Sequence, residues 1–276
     1  EHIMAHCPTP ILVVSASVNR GELFQTYEAL AAGAVDVIEK PRGDEPDGAW
    51  ERNFLSTLRL VSRIRVITHP RARLTRASEA RRPKPTAKTT KYRALAIGAS
   101  TGGPAAVVQV LRALPAKLPL PILLIVHLGE AFAGPFADWL DSQSHHRVRL
   151  ATDGQPLEPG VTMAAPDRHL LLAGNTLRVS QDAPRHSCRP SVDVLFESVA
   201  RELGAHAIGC LLTGMGRDGA AGLLAMRKAG AYTIAQDEAS SVVFGMPREA
   251  ILLDAASRVL ALDAIGPAIS ALLEVP

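Results

Sequence analysis

Ala94-Leu-Ala-Ile-Gly-Ala-Ser-Thr-Gly-Gly-Pro104 is the stretch from which the fold of this chain is read. The apolar run Ala94 to Ile97 ends in small residues, Pro104 follows, and Val107, Val110, Leu111 and Leu114 then recur at helical spacing. That order predicts a strand, a tight turn and a helix. Within the turn, Gly98-Ala-Ser-Thr-Gly102 fits the pattern G-x-S-x-G, in which glycines relieve a sharp corner and leave a serine hydroxyl exposed beyond the strand end. Ser100 is therefore a candidate nucleophile. A glycine-rich turn with free N–H groups equally suits a phosphate or a dinucleotide, and many such turns bind nothing.

The chain has 276 residues, enough for one large domain, or one large and one small. Nearly half the residues are apolar, yet every apolar run is short, so neither a membrane span nor a signal peptide is visible. The expectation is a cytoplasmic protein with no insertion into a membrane. Cys7, Cys188 and Cys210 lie far apart without C-x-x-C spacing, which argues against a disulfide framework and a zinc site; they are read as reduced and structural. No H-E-x-x-H or paired ligand spacing suggests any other metal.

Between Thr68 and Arg93 nine Lys or Arg face Glu79 alone, so this stretch carries +8 and the remainder −5 within the overall +3. It holds Pro70, Pro83 and Pro85, almost no apolar residues and no interleaved aromatics. A solvated linker fits better than a nucleic-acid footprint.

Before the linker, Ile11 to Val14 reads as a strand, Leu23, Tyr27 and Leu30 as a helix face closed by Gly33, Ala34 to Ile38 as a second strand, and Trp50, Phe54, Leu58 and Val61 as a further helix. Ser15 follows the first strand and Lys40-Pro41 the second. The pattern resembles the second half of a response-regulator receiver domain, a flavodoxin-like fold in which a Ser or Thr and a Lys at those places surround a phosphoaspartate. A hydroxyl and an ammonium suit a phosphoryl group. Three strands, the acidic pair and the acceptor aspartate have no room before Ile11, so this part reads as a truncated half whose two strands are short of cover, a piece expected to be poorly ordered or aggregation-prone.

After the linker, strand-like runs alternate with helix-like ones. Ile122 to Val126 ends at His127; Arg147 to Ala151 and Val161 to Ala165 are shorter; Leu170 to Leu172 and Thr176 to Val179 form a hairpin around Gly174-Asn175. Val192, Leu195, Phe196, Val199 and Leu203 make a helix face ended by Gly204, Ala207 to Leu212 a buried strand, and Tyr232 to Ala235 another after an Ala- and Leu-rich helix. Alternation of this kind predicts an α/β domain with a mostly parallel, doubly wound sheet. Such sheets place reactive groups at the carboxyl ends of strands, and Ser100, His127 and Asp218 follow three of them. A serine needs a base, and the base needs a partner that fixes its tautomer. Taken singly, His127 could cap its strand and Asp218 a helix.

Five motifs stand in order: Ile97-Gly-Ala-Ser-Thr-Gly-Gly103, Val126-His127, Arg189-Pro-Ser-Val-Asp-Val-Leu-Phe196, Leu212-Thr-Gly-Met-Gly-Arg-Asp-Gly-Ala220 and Ser240-Ser-Val-Val-Phe-Gly-Met-Pro-Arg248. Together they resemble the catalytic domain of the protein-glutamate methylesterase family of bacterial chemotaxis. The resemblance implies a receiver half at 1–67, a linker at 68–92 and a Rossmann-like catalytic domain at 93–276. It implies Ser100, His127 and Asp218 as a catalytic triad, with Thr101 and Met215 beside the oxyanion, Ser15 and Lys40 as remnants of the receiver switch, and neither cofactor nor metal. The implied substrate is methylated glutamate, and by extension glutamine, on the cytoplasmic helices of chemoreceptors, with a histidine kinase acting on an intact full-length form and no nucleic acid. Ala165-Pro-Asp-Arg-His-Leu170 departs from the family pattern, which has a glycine after the proline and one residue more. A nucleotide-binding module, disfavoured because His127 stands where an acidic ribose ligand belongs, and a non-catalytic signalling adaptor are the alternatives.

Overall fold

The computed structural model describes residues 2–16, 20–41, 43, 46, 48–64 and 91–273. The linker expected at 68–92 lies outside them except for Lys91 and Tyr92.

From Tyr92 onward the chain builds a seven-stranded parallel sheet in the order β11-β10-β9-β3-β4-β6-β5. Its centre is β3 (Ala94–Ala99), β4 (Pro121–Val126) and β9 (Ala207–Leu211). Every residue of these three strands is buried, as continuous apolar runs require when helices cover both faces. β6 (Gly160–Met163) and β5 (Val148–Leu150) extend one side, β10 (Tyr232–Gln236) and β11 (Arg258–Leu260) the other. The chain moves from β3 to β4 on one side and returns later to β9 on the other. The strand order therefore reverses at the β3/β9 boundary, where open α/β sheets leave a crevice.

α4 (Gly103–Ala113), α5 (Glu130–Gln143) and α9 (Leu262–Leu273) bury Val107, Leu111, Phe136 and Ile269 in a core that includes Ile97, Leu124 and Cys210 of the sheet. On the opposite face, α6 (Val192–Leu203), α7 (Ala220–Lys228) and α8 (Met246–Leu252) bury Phe196, Leu223 and Met246. The expected hairpin is β7 (His169–Ala173) paired antiparallel with β8 (Thr176–Ser180); Leu170, Leu172 and Leu177 fix it to the α6 side. Among the described residues no helix is long and apolar enough to cross a membrane.

The N-terminal part follows the expected order. A short α1 (His2–His6) precedes β1 (Leu12–Ser15), α2 (Arg20–Ala31), β2 (Asp36–Glu39) and α3 (Ala49–Val61), with β1 and β2 parallel. The expectation of a poorly ordered piece does not describe α2. Leu23, Tyr27 and Leu30 join the same core as α4 and α5. Tyr27 is fully buried, its ring 5.4 Å from Phe136 and 5.6 Å from Trp139, and its hydroxyl donates to Phe132 O at 2.6 Å. A phenol fits that place because the ring meets an aromatic cluster while the hydroxyl finds a carbonyl.

Candidate active site

Two registers bring the strand ends together. Ala99 pairs with Val126, and the His127 N–H donates to Ala99 O at 3.0 Å, so Ser100 and His127 leave adjacent strands side by side. Gly98 pairs with Leu211, Leu212 N–H donates to Gly98 O at 2.8 Å, and Ser100 N–H donates to Thr213 O at 3.0 Å. The segment leading to Asp218 thus runs alongside the Ser100 turn. Gly102, at φ +75°, takes the corner into α4, and a side chain there would meet Val242 Cβ at 2.6 Å. A Cβ at Gly214 would stand 2.7 Å from Ser100 Cβ, so the absence of a side chain lets the second loop close on the half-buried serine.

The phosphate-cradle reading of this turn loses its donors. The N–H groups of Ser100, Gly102 and Gly103 donate to Thr213 O, Val35 O and Ser100 O at 3.0, 3.1 and 2.6 Å. Among the described residues the N–H groups of Thr101 and Met215 have no protein acceptor. Met215 is 57% exposed and follows Gly214, which touches Ser100, while Thr101 is buried next to the serine.

Asp218 is held from four directions. Its Oδ2 lies 3.0 Å from His127 Nε2 and accepts from Val192 N–H at 2.7 Å; its Oδ1 accepts from the Ser191 hydroxyl at 2.7 Å and Asp193 N–H at 3.1 Å. Val192 and Asp193 open α6, so the carboxylate occupies the positive end of that helix. It caps α6, whereas the N-cap of α7, the helix that follows it, is Gly219. Burial raises its pKa, but the hydrogen bond and charge of His127, with the donors of Ser191 and Val192, outweigh this and hold it below the ordinary carboxylate value. Burial lowers the pKa of His127; the bond to Asp218 and the nearby Cys188 thiol overcome that effect and raise it to about 9. An ionised Asp218 accepts the Nε2 proton, and this leaves Nδ1 as the nitrogen able to take another.

A Ser-His-Asp order on neighbouring parallel strands narrows the possibilities, and comparison with known proteins decides among them. The family profile described as CheB methylesterase matches residues 95–269. The chain belongs to the CheB methylesterase family. It is 44% identical over 264 residues to a protein-glutamate methylesterase/protein-glutamine glutaminase 2 of Anaeromyxobacter dehalogenans, covering 95% of this chain and 75% of the relative. It is 40% identical over 276 residues to the protein-glutamate methylesterase FrzG of Myxococcus xanthus, covering 98% and 79%. The crystal structure of the Thermotoga maritima CheB methylesterase catalytic domain superposes with a TM-score of 0.64 at 32% identity, over 66% of this chain and 98% of that one.

Against this family's pattern, the departure after Pro166 has a physical resolution. Asp167 stands where a glycine is expected and adopts φ +50°, the left-handed region glycine favours. Its carboxylate grips Arg189 with both oxygens, Nε at 2.8 Å and an Nη at 3.0 Å. Arg189 also donates to the carbonyls of Gln181 and Asp182 at 3.2 Å, so it is engaged inside the domain.

Motif reading missed the supports around the triad. Ser191 and Asp193 lie within the quoted Arg189–Phe196 motif, but their role as donors to Asp218 depends on a helix start that meets a distant loop. Asp193 is fully buried, accepts from Gly222 N–H at 2.6 Å, and has His186 Nε2 at 3.2 Å. Cys188, read as structural, lies with Sγ 4.0 Å from His127 Nδ1. Asp36 of β2 accepts from the Thr101 hydroxyl at 3.1 Å, and burial raises its pKa despite that bond and the one from Val37 N–H. Ser15 and Lys40 lie together at the end of the β1/β2 pair, where Lys40 N–H donates to Ser15 O at 2.8 Å.

Proposed function

We propose that this member of the CheB methylesterase family hydrolyses methyl esters of glutamate side chains on chemoreceptor cytoplasmic helices, with Ser100 as nucleophile, His127 as base and Asp218 as the group that orients it. The observation that carries the assignment is the 3.0 Å pairing of His127 Nε2 with Asp218 Oδ2, which leaves Nδ1 for the serine proton beside the Ser100 turn. Ser100 Oγ attacks the ester carbonyl as His127 Nδ1 takes its proton. The N–H groups of Thr101 and Met215 receive the oxyanion, and the imidazolium returns the proton to departing methanol. Water then cleaves the glutamyl-serine ester with the same base, restoring the glutamate carboxylate and Ser100. An amide presents the same carbonyl, so glutamine deamidation follows the same course with ammonia as leaving group. No cofactor enters these steps.

The proposal includes a cytoplasmic location and the layout of 1–67 as receiver half, 68–92 as linker and 93–276 as catalytic domain. In an intact full-length form a histidine kinase would act on the receiver, and Ser15 and Lys40 stand where that switch has its hydroxyl and ammonium. Methanol release from methylated receptor, compared between this chain and Ser100→Ala, tests the central assignment. Equal rates in two folded proteins would sink it.

A further inference from the structure

Cys188 lies on the loop that enters α6, and that loop is tightly tied. Arg185 N–H donates to Cys188 O at 3.0 Å and Cys188 N–H to Arg185 O at 2.8 Å. Arg185 pairs with Glu197 of α6 at 2.5 Å, His186 Nε2 faces the buried Asp193 at 3.2 Å, and Arg189 is clamped by Asp167. The thiol is therefore presented to the triad from a fixed position. It is half-buried, with Sγ 4.0 Å from His127 Nδ1, and the ligating atoms of His127, Cys188 and Asp218 all fall within 4.8 Å of one another.

We infer that Cys188 Sγ and His127 Nδ1 form a binding site for a thiophilic divalent cation such as Zn2+, which blocks the esterase by occupying the lone pair of its base. Imidazole and thiolate are the ligands that borderline-soft ions choose over carboxylate or carbonyl oxygen. Zinc bonds of about 2.0 Å to nitrogen and about 2.3 Å to sulfur, meeting at a tetrahedral angle, span about 3.6 Å. The observed 4.0 Å needs only a small closing movement of the pair. Asp218 fits the role of outer support rather than ligand, because both of its oxygens already accept from α6 and Nε2. A carboxylate on the far nitrogen of a metal-binding imidazole fixes the ring and raises its basicity. Binding releases the thiol proton and, below about pH 9, the Nδ1 proton of His127 to solvent, and the remaining coordination positions are open to water. The wide separation of the cysteines in sequence gave no hint of this, since the second ligand is a histidine 61 residues away.

The metal site stands on the geometry, while the loss of activity rests on the base role proposed for His127, and two readouts separate them. Both use the full chain carrying Cys7→Ser, which removes the exposed thiol; Cys210 is fully buried. Cobalt(II) titration is expected to give thiolate-to-metal absorption, and Cys188→Ser is expected to abolish it. Zinc is expected to inhibit methanol release reversibly, with a chelator restoring the rate, and Cys188→Ser should need about tenfold more zinc for the same fractional loss of its own zinc-free rate. Absence of thiolate absorption up to saturating cobalt, or its persistence in Cys188→Ser, would overturn the site. Equal zinc sensitivity in both proteins would overturn the inhibition. Full activity in Ser100→Ala would instead undo the triad and leave the cobalt result to decide the site.

Discussion

β3, β4 and β9 are buried at every position, whereas of the eight residues in β1 and β2 only Ile38 is buried. The two regions secure their strand ends differently. The central strands sit between two helical layers, and the groups that follow them are cross-tied by backbone bonds such as His127 N–H to Ala99 O and Ser100 N–H to Thr213 O. The N-terminal pair is attached through α2, whose Tyr27 enters a cluster belonging mainly to α4 and α5, and at the start of β2, where Val35 O accepts from Gly102 N–H and Asp36 from the Thr101 hydroxyl. Reactive groups held to chemical tolerance stand on the first kind of support, and a unit that joins a domain by a helix face and a strand edge stands on the second.

Substitutions at the two kinds of support should separate accordingly. Ser100→Ala should reduce turnover by about a millionfold, as loss of the nucleophile does in subtilisin, while circular dichroism and melting stay close to those of the parent. A loss of less than a hundredfold would remove the serine from the mechanism. Asp218→Asn should cost about ten-thousandfold in kcat, the size seen for the equivalent change in a serine protease. If the loss is under tenfold with a lowered melting temperature, Asp218 is a cap of α6 and no more.

Tyr27→Ala removes a fully buried ring and its hydrogen bond to Phe132 O. By analogy with other large aromatic truncations it should weaken the attachment of α2 by about 3–5 kcal/mol. Hydrogen exchange should then rise in α2 while β3, β4 and β9 remain protected. Equal loss of protection in both regions would show that they unfold as one.

The smallest effect is that of pH. In the proposed mechanism His127 must be neutral at Nδ1 to accept the serine proton, and its pKa is raised to about 9. Its protonated fraction falls as pH rises, so kcat/KM should climb about tenfold per unit from pH 7 and level off above 9. Cys188→Ser, by removing one of the raising contacts, should move that plateau to lower pH. A profile flat from pH 6 to 9 would contradict the raised value.

The catalytic sheet was legible in the sequence because its central strands are uninterrupted apolar runs, and the Ser100 turn because glycines punctuate it. β11 was not, since its three residues Arg258, Val259 and Leu260 form an edge with two of them exposed. Ser100, His127 and Asp218 could be named because each follows a readable strand and matches a motif. Cys188 and Asp36 could not, because they approach the triad from loops and strands that no local pattern connects to it. The docking of α2 is hidden for a related reason: the sequence shows an apolar face, and only the fold shows that Phe136 and Trp139 lie across from it.

The pairing of His127 with Asp218 spans 91 residues of chain. On a ribosome adding about 5 to 20 residues each second, the proposed base is made roughly 5 to 20 seconds before the carboxylate paired with it. Throughout that interval β3 and β4 can pair with each other but have no β9 beside them, and His127 stands without Asp218. If the proposed triad carries the chemistry, a nascent chain is without hydrolytic capacity until Asp218 emerges, so translation itself delays the moment at which a new molecule can erase a methyl mark.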